Sequence, residues 1–231
     1  MESAKREQAM PWYFRRSPVI LATALLVAQP SLAFKTPLSE QAVREAYFLG
    51  QRHDGTYPRL LGKYTKFLPR PKSGPYISSV AFYTPFLQMV AYSDGYIGNY
   101  SAQQAQIDYR NKGEETVQVS VIIQLTDSYG RFIPISANSA SRSPTFVPRP
   151  YEFWKDFKVQ AYNSEGPVSP SASRGHANSN CGRGGSPCTL IGATIELEFP
   201  ATAFASNAAT IEVDPPEGDR VSVNFDLSSI R

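Results

Sequence analysis

The chain has 231 residues, 23 Lys plus Arg against 20 Asp plus Glu, a formal charge of +3 and 42% apolar residues. That length supports one good core or two small ones. The near balance of charge argues against nucleic-acid binding, which needs a clustered basic surface.

The first 33 residues read as a secretory signal. Lys5, Arg6, Arg15 and Arg16 give a basic front, an apolar run spans 19–28, and Pro30 precedes the small residues of Ser31-Leu32-Ala33. Cleavage is expected after Ala33. The apolar run is too short for a membrane span, which needs about 20 residues. The start is either Met1 or Met10, since Pro11 to Arg16 still gives a basic front, and Arg15-Arg16 makes only a weak match to the twin-arginine route. Removing the signal takes four basic and two acidic residues, leaving 198 residues of charge about +1.

Residues 34–75 read as a helical segment. Thr36-Pro37 or Ser39 caps a first helix ending at Leu49, with Ala42, Val43, Ala46 and Tyr47 on one stripe. Gly50 stands where a left-handed cap belongs. A second amphipathic stretch begins at Pro58 and runs through Leu60, Leu61, Tyr64, Phe67 and Leu68.

Residues 76–231 read as the β domain. Two strands are expected over 77–83 and 86–92, with Thr84-Pro85 as a bulge or break. The stretch 102–110 fits a strand or a short helix. Period-two alternation is clear in Val117, Val119, Val121 and Ile123, in Phe157, Val159 and Ala161, and in Ile195, Leu197 and Phe199. It returns in Ile211 and Val213 and in Val221, Val223, Phe225 and Leu227, joined by the turn 214–219 into a hairpin. Polar alternate positions, Glu196 and Glu198 among them, mark faces open to water. These elements predict a mainly β (α+β) fold, an antiparallel immunoglobulin-like sandwich of about seven or eight strands behind two short helices. Residues 136–150 and 163–188 are expected as long flexible loops.

Cys181 and Cys188 flank a Gly-rich stretch and are expected to form a local disulfide pinning a hairpin tip, in keeping with an oxidising compartment. A zinc site needs about four ligands, and the only histidines are His53 and His176. No cofactor or metal is expected. The acidic turn 214–219 offers oxygens for calcium but has two prolines and no EF-hand pattern.

No spacing selects a catalytic pair among Glu45, Asp54, Asp94, Asp127 and Glu152, and no nucleophile elbow is present. Tyr92, Tyr96 and Tyr100 recur every four residues in a Gly-rich stretch. They suit stacking on sugar rings or a protein partner, or else packing as a lid over the core. The segment 142–150, with Phe146 inside, offers a polyproline-like strip or an ordered crossover.

Three motifs, Arg44-Glu45-Ala46-Tyr47-Phe48-Leu49-Gly50, Thr84-Pro85-Phe86 and Phe225-Asp226-Leu227-Ser228-Ser229-Ile230-Arg231, resemble those of uncharacterised secreted proteins of soil bacteria. The resemblance implies secretion and no particular activity. The sequence therefore predicts an exported, periplasmic or extracellular, non-catalytic module that binds an envelope protein or a glycan. A secreted hydrolase with dispersed carboxylates and a structural subunit of an envelope assembly are the alternatives.

Overall fold

The alternation of Val117, Val119, Val121 and Ile123 builds the middle of the molecule. All four are fully buried on strand β3 (Thr116–Gln124), which pairs antiparallel with β2 (Tyr76–Tyr83) and β9 (Thr189–Pro200). The structure is a computed structural model and describes residues 34–135, 145–182 and 188–231; the signal and its cleavage after Ala33 lie outside them. Strand β1 (Thr65–Phe67) and strand β8 (Ala172–Asn180) complete a five-stranded sheet in the order β1-β2-β3-β9-β8.

A second antiparallel sheet has the order β11-β10-β6-β7, made by β6 (Lys158–Asn163), β7 (Gly166–Val168), β10 (Ala208–Asp214) and β11 (Val221–Asp226). The expected hairpin is β10–β11, in register from Ala208 opposite Asp226 to Val213 opposite Val221. The fold is mainly β. Both sheets bury their apolar alternates in one cluster. Phe82 of β2 lies 5.5 Å from Phe225 of β11 and meets Phe204 edge-on at 5.3 Å. Each such ring removed from water contributes roughly 1.5–3 kcal/mol.

A third, two-stranded sheet joins β4 (Phe132–Ile135) and β5 (Thr145–Pro148). β5 occupies part of the expected loop 136–150; residues 136–144 lie outside the described residues. The expected loop 163–188 is corrected more fully, because it contains β7 and the nine-residue strand β8. Small polar residues suffice in β8, since it is an edge strand whose exposed face needs no apolar side chain. Trp154 covers Gly175 of β8 so closely that a Cβ there would meet the ring at 2.5 Å.

Helix α1 (Glu40–Gly50) starts at Ser39, whose hydroxyl accepts from Ala42 N at 3.2 Å, and Glu40 in its first turn complements the helix dipole. Helix α2 (Thr56–Lys63) stops before Tyr64, and Phe67 belongs to β1 rather than to a helical face. The expected strand over 86–92 is instead helix α3 (Pro85–Asp94). Thr84 is its N-cap, accepting from Leu87 N at 3.3 Å, and Pro85 occupies the first turn, where its missing N–H costs nothing. Phe86, Met89, Val90 and Ser93 are buried at helical spacing. The ambiguous 102–110 stretch is helix α4 (Ala102–Asn111), capped by Ser101 on Gln104 N at 3.1 Å.

Helices α1, α3 and α4 enclose a second small core of Val43, Ala46, Tyr47, Phe86, Met89, Val90, Tyr100 and Ala105. Helical packing is therefore not confined to 34–75. Gly50 is not a left-handed cap: it ends α1 where a Cβ would meet Val90 O at 2.4 Å, so glycine permits the close crossing of α1 and α3.

Candidate functional site

A groove of about 600 Å³ opens where α3 and α4 meet the start of β3. α3 supplies Gln88, Met89 and Tyr92, and α4 supplies Asp108 and Tyr109. Tyr83, Thr116 and Gln118 form the strand wall, and Lys112, Glu114 and Glu115 lie on the loop that closes one side.

Gln88 fixes the floor. Its Nε2 donates to Thr116 O at 2.6 Å and Tyr83 O at 3.2 Å, and its Oε1 accepts from Lys112 Nζ at 2.9 Å. Surrounding atoms strip water from Lys112 and lower its pKa, an effect opposed by Glu198. Glu115 accepts from Leu38 N at 2.7 Å and from the Thr36 hydroxyl, and Tyr109 Oη accepts from the same Leu38 N at 2.9 Å. Glu115 and Tyr109 thus hold the segment before α1 against the groove's edge.

A second depression of about 500 Å³ adjoins the first, and Tyr92 and Asp108 line both. It contains the tyrosines expected from sequence. They do not share one fate. Tyr92 is 46% exposed and Tyr96 41%, whereas Tyr100 is 8% exposed and belongs to the helical core. Tyr96 stacks on Tyr100 at 4.3 Å and 15°. Tyr92 meets Tyr96 at 5.0 Å and 61°, with the two hydroxyls 3.0 Å apart. The cluster sits on the end of α3 and the segment that leads from it to α4. Tyr47 Oη donates to Tyr100 O at 2.7 Å and ties the turn to α1.

The hydrogen bond to Tyr96, and then burial, push the Tyr92 phenol up to about 12. Burial, followed by the field of Asp108, pushes Tyr100 up as well. Asp108 Oδ1 accepts from Gln104 Nε2 at 2.7 Å, one helical turn away. The arrangement offers exposed ring faces, a carboxylate and several amides along one depression, a combination suited to binding.

The acids named from sequence do not line the groove. Glu45 pairs with Arg231, Asp54 accepts from Thr56 at the start of α2, and Glu152 pairs with Lys155 at 2.8 Å. Asp94 stands 3.7 Å from His53, which follows α1 at a φ of 48°. His176 lies on β8 opposite Thr194, not in an irregular loop. In the acidic turn, Arg220 reaches Glu212 and Asp214 at 3.3 Å each. Among the described residues no group of three or more His, Cys, Asp or Glu could hold a metal ion.

Cys181 and Cys188 form a disulfide that closes the β8–β9 hairpin beside the pair Asn180 and Thr189. Among the described residues no helix is long and apolar enough to cross a membrane.

Sequence reasoning missed Gln88, Asp108 and Lys112. The signal was present in part: on a helix, Gln88 and Tyr92 share a face at i and i+4, as do Gln104 and Asp108. Reading 86–92 as a strand placed Gln88 and Tyr92 without their helical neighbours. The chain matches no known protein family, and no curated protein matches it in sequence.

Proposed function

We propose that the protein is an exported, non-catalytic module, an immunoglobulin-like β-sandwich with a helical layer, that holds an envelope or extracellular partner in the groove beside Tyr92, a glycan before a protein. The carrying observation is that two depressions join at Tyr92 and Asp108, so one continuous surface combines exposed rings with carboxylate and amide groups. Rings stack on sugar faces, and fixed amides and carboxylates take the hydroxyls. The signal-like start and the Cys181–Cys188 bridge support export. Two antiparallel sheets sharing one core support the sandwich, and the bridge ties neighbouring strands rather than the two sheets.

Affinity electrophoresis of the full chain and of Tyr92→Ala through gels containing soluble polysaccharides tests this. Retardation by at least one glycan, lost in the variant, is the expected result. Equal mobility of both proteins in every gel would remove the reading.

A secreted hydrolase keeps one observation in its favour: Asp108 and Glu114 are two carboxylates on one groove. Reducing-end release from those same polysaccharides, abolished by Asp108→Asn, would favour it over binding.

A further inference from the structure

The rings and acids of the groove select more than a sugar face. Tyr92 and Tyr96 are both partly exposed and meet edge to face at 61°, with one face of Tyr96 stacked on Tyr100, so the ring surfaces left open form an angled corner. Asp108 lines both depressions, and its Oδ1 is held by Gln104. Behind the corner, the Tyr100 hydroxyl is buried beside Asp108. Glu114 lines the same groove, and no hydrogen bond or ion pair engages its carboxylate among the described residues. Of the charged lining groups, Asp108, Glu114 and Glu115 outnumber Lys112, which is occupied by Gln88.

Ring faces carry negative quadrupoles, and an ammonium group set over them gains most where water is excluded. A nearby carboxylate adds to that attraction, and its field falls off with salt. Asp108 lies close enough to this corner to help hold the phenols of Tyr92 and Tyr100 above their ordinary value, after the Tyr96 hydrogen bond and burial at Tyr92 and after burial at Tyr100. The phenols stay neutral, leaving Asp108 as the charge that faces a ligand.

From this geometry we infer that the groove binds an amine-bearing glycan, the ammonium of a deacetylated amino sugar sitting against Tyr92 and Tyr96 with Asp108 as its counter-charge. This rests on the groove being the binding site proposed above and names the class of sugar it takes. A neutral or acetylated sugar stacks on the rings but gives Asp108 no charge to meet, and an acidic glycan is repelled.

The test is isothermal titration of the full chain, in mildly acidic low-salt buffer, with glucosamine oligomers and with N-acetylglucosamine oligomers of equal length. The expected result is binding of the amine form at least tenfold tighter than the acetylated form, weakened by added salt. Asp108→Asn keeps an acceptor for Gln104 and should cost about tenfold against the amine form and distinctly less against the acetylated form, so that the preference between the two oligomers narrows. Equal affinity for both oligomers, lost in Tyr92→Ala, would overturn the ammonium assignment and leave the groove as a glycan site. Binding of neither oligomer, or binding indifferent to Tyr92→Ala in a variant with an unaltered near-ultraviolet spectrum, would overturn both.

Discussion

Arg231 grips Glu45 with both arms of its guanidinium, Nη1 to Oε1 at 2.5 Å and Nη2 to Oε2 at 2.9 Å. The same guanidinium lies 4.8 Å from the centroid of Phe86, and the Arg231 backbone exchanges hydrogen bonds with the Tyr64 hydroxyl. The Thr84 hydroxyl also donates to Arg231 O. Three segments far apart in the chain, 44–50, 84–86 and 225–231, therefore meet at one point, on α1, at the start of α3 and after β11.

Replacing Glu45 by Gln removes the charge but keeps the shape. Both partners are well exposed, so water screens the pair and the expected loss is only about 0.5–1 kcal/mol. Urea unfolding at low and at high salt checks this, with the difference between wild type and variant shrinking as salt rises.

Gly50 and Gly62 should respond oppositely to alanine. At Gly50 a Cβ meets Val90 O at 2.4 Å, Ser93 Cβ at 2.6 Å and Asp94 N at 2.8 Å, and two of those are backbone atoms that cannot step aside. Gly50→Ala is expected to cost about 2 kcal/mol by forcing α1 and α3 apart. At Gly62, within α2, nothing lies within 4 Å, and Gly62→Ala should add about 0.5–1 kcal/mol. Denaturant midpoints of the two variants give the signs directly.

Alkali should unfold the protein from a defined pH. Burial raises the phenols of Tyr57, Tyr64, Tyr83, Tyr100 and Tyr129 above their ordinary value of 10.0, and Tyr92 reaches about 12. Below pH 10 these tyrosines are protonated in folded and unfolded chains alike, and their stabilising contribution is complete. Above it the unfolded chain releases protons first, so stability falls until the folded pKa values are passed. The denaturation midpoint is expected to drop steadily from pH 10 to about 12, while tyrosinate absorbance of the folded protein lags that of a denatured control. Superimposable titrations of the two would refute the shifts.

Opening the Cys181–Cys188 bridge should be felt modestly. The cysteines are seven positions apart, so the bridge restricts only a short loop of the unfolded chain. The double variant Cys181→Ser, Cys188→Ser is expected to lose about 2 kcal/mol and to keep its fold. Thermal unfolding followed by circular dichroism checks both statements.

Strands could be read from this chain wherever one face is dry and the other wet. Val117, Val119, Val121 and Ile123 show it, because burial on alternate residues leaves a period that no neighbour is needed to explain. The hairpin from Ile211 to Phe225 and the pairing of Cys181 with Cys188 were legible for the same local reasons. Helix α3 was not, because a short apolar run buried on several sides loses its period, and only Thr84 and Pro85 as cap and first turn betray it. Strand β8 was hidden by the opposite cause, an edge position that demands no apolar residue.

The site shows that division most clearly. The recurrence of Tyr92, Tyr96 and Tyr100 is a property of the sequence. Their separate fates come from packing: Tyr100 turns into the helical core, while Tyr92 and Tyr96 stay at the surface. Asp108 reaches them only because α3 and α4 both pack on α1, and Gln88 and Lys112 meet only beside the end of β2 and the start of β3. Local chemistry alone determined the alternating strands, the Ser39 cap and the disulfide. The groove is made by contacts between segments distant in the chain, whose geometry no single segment encodes.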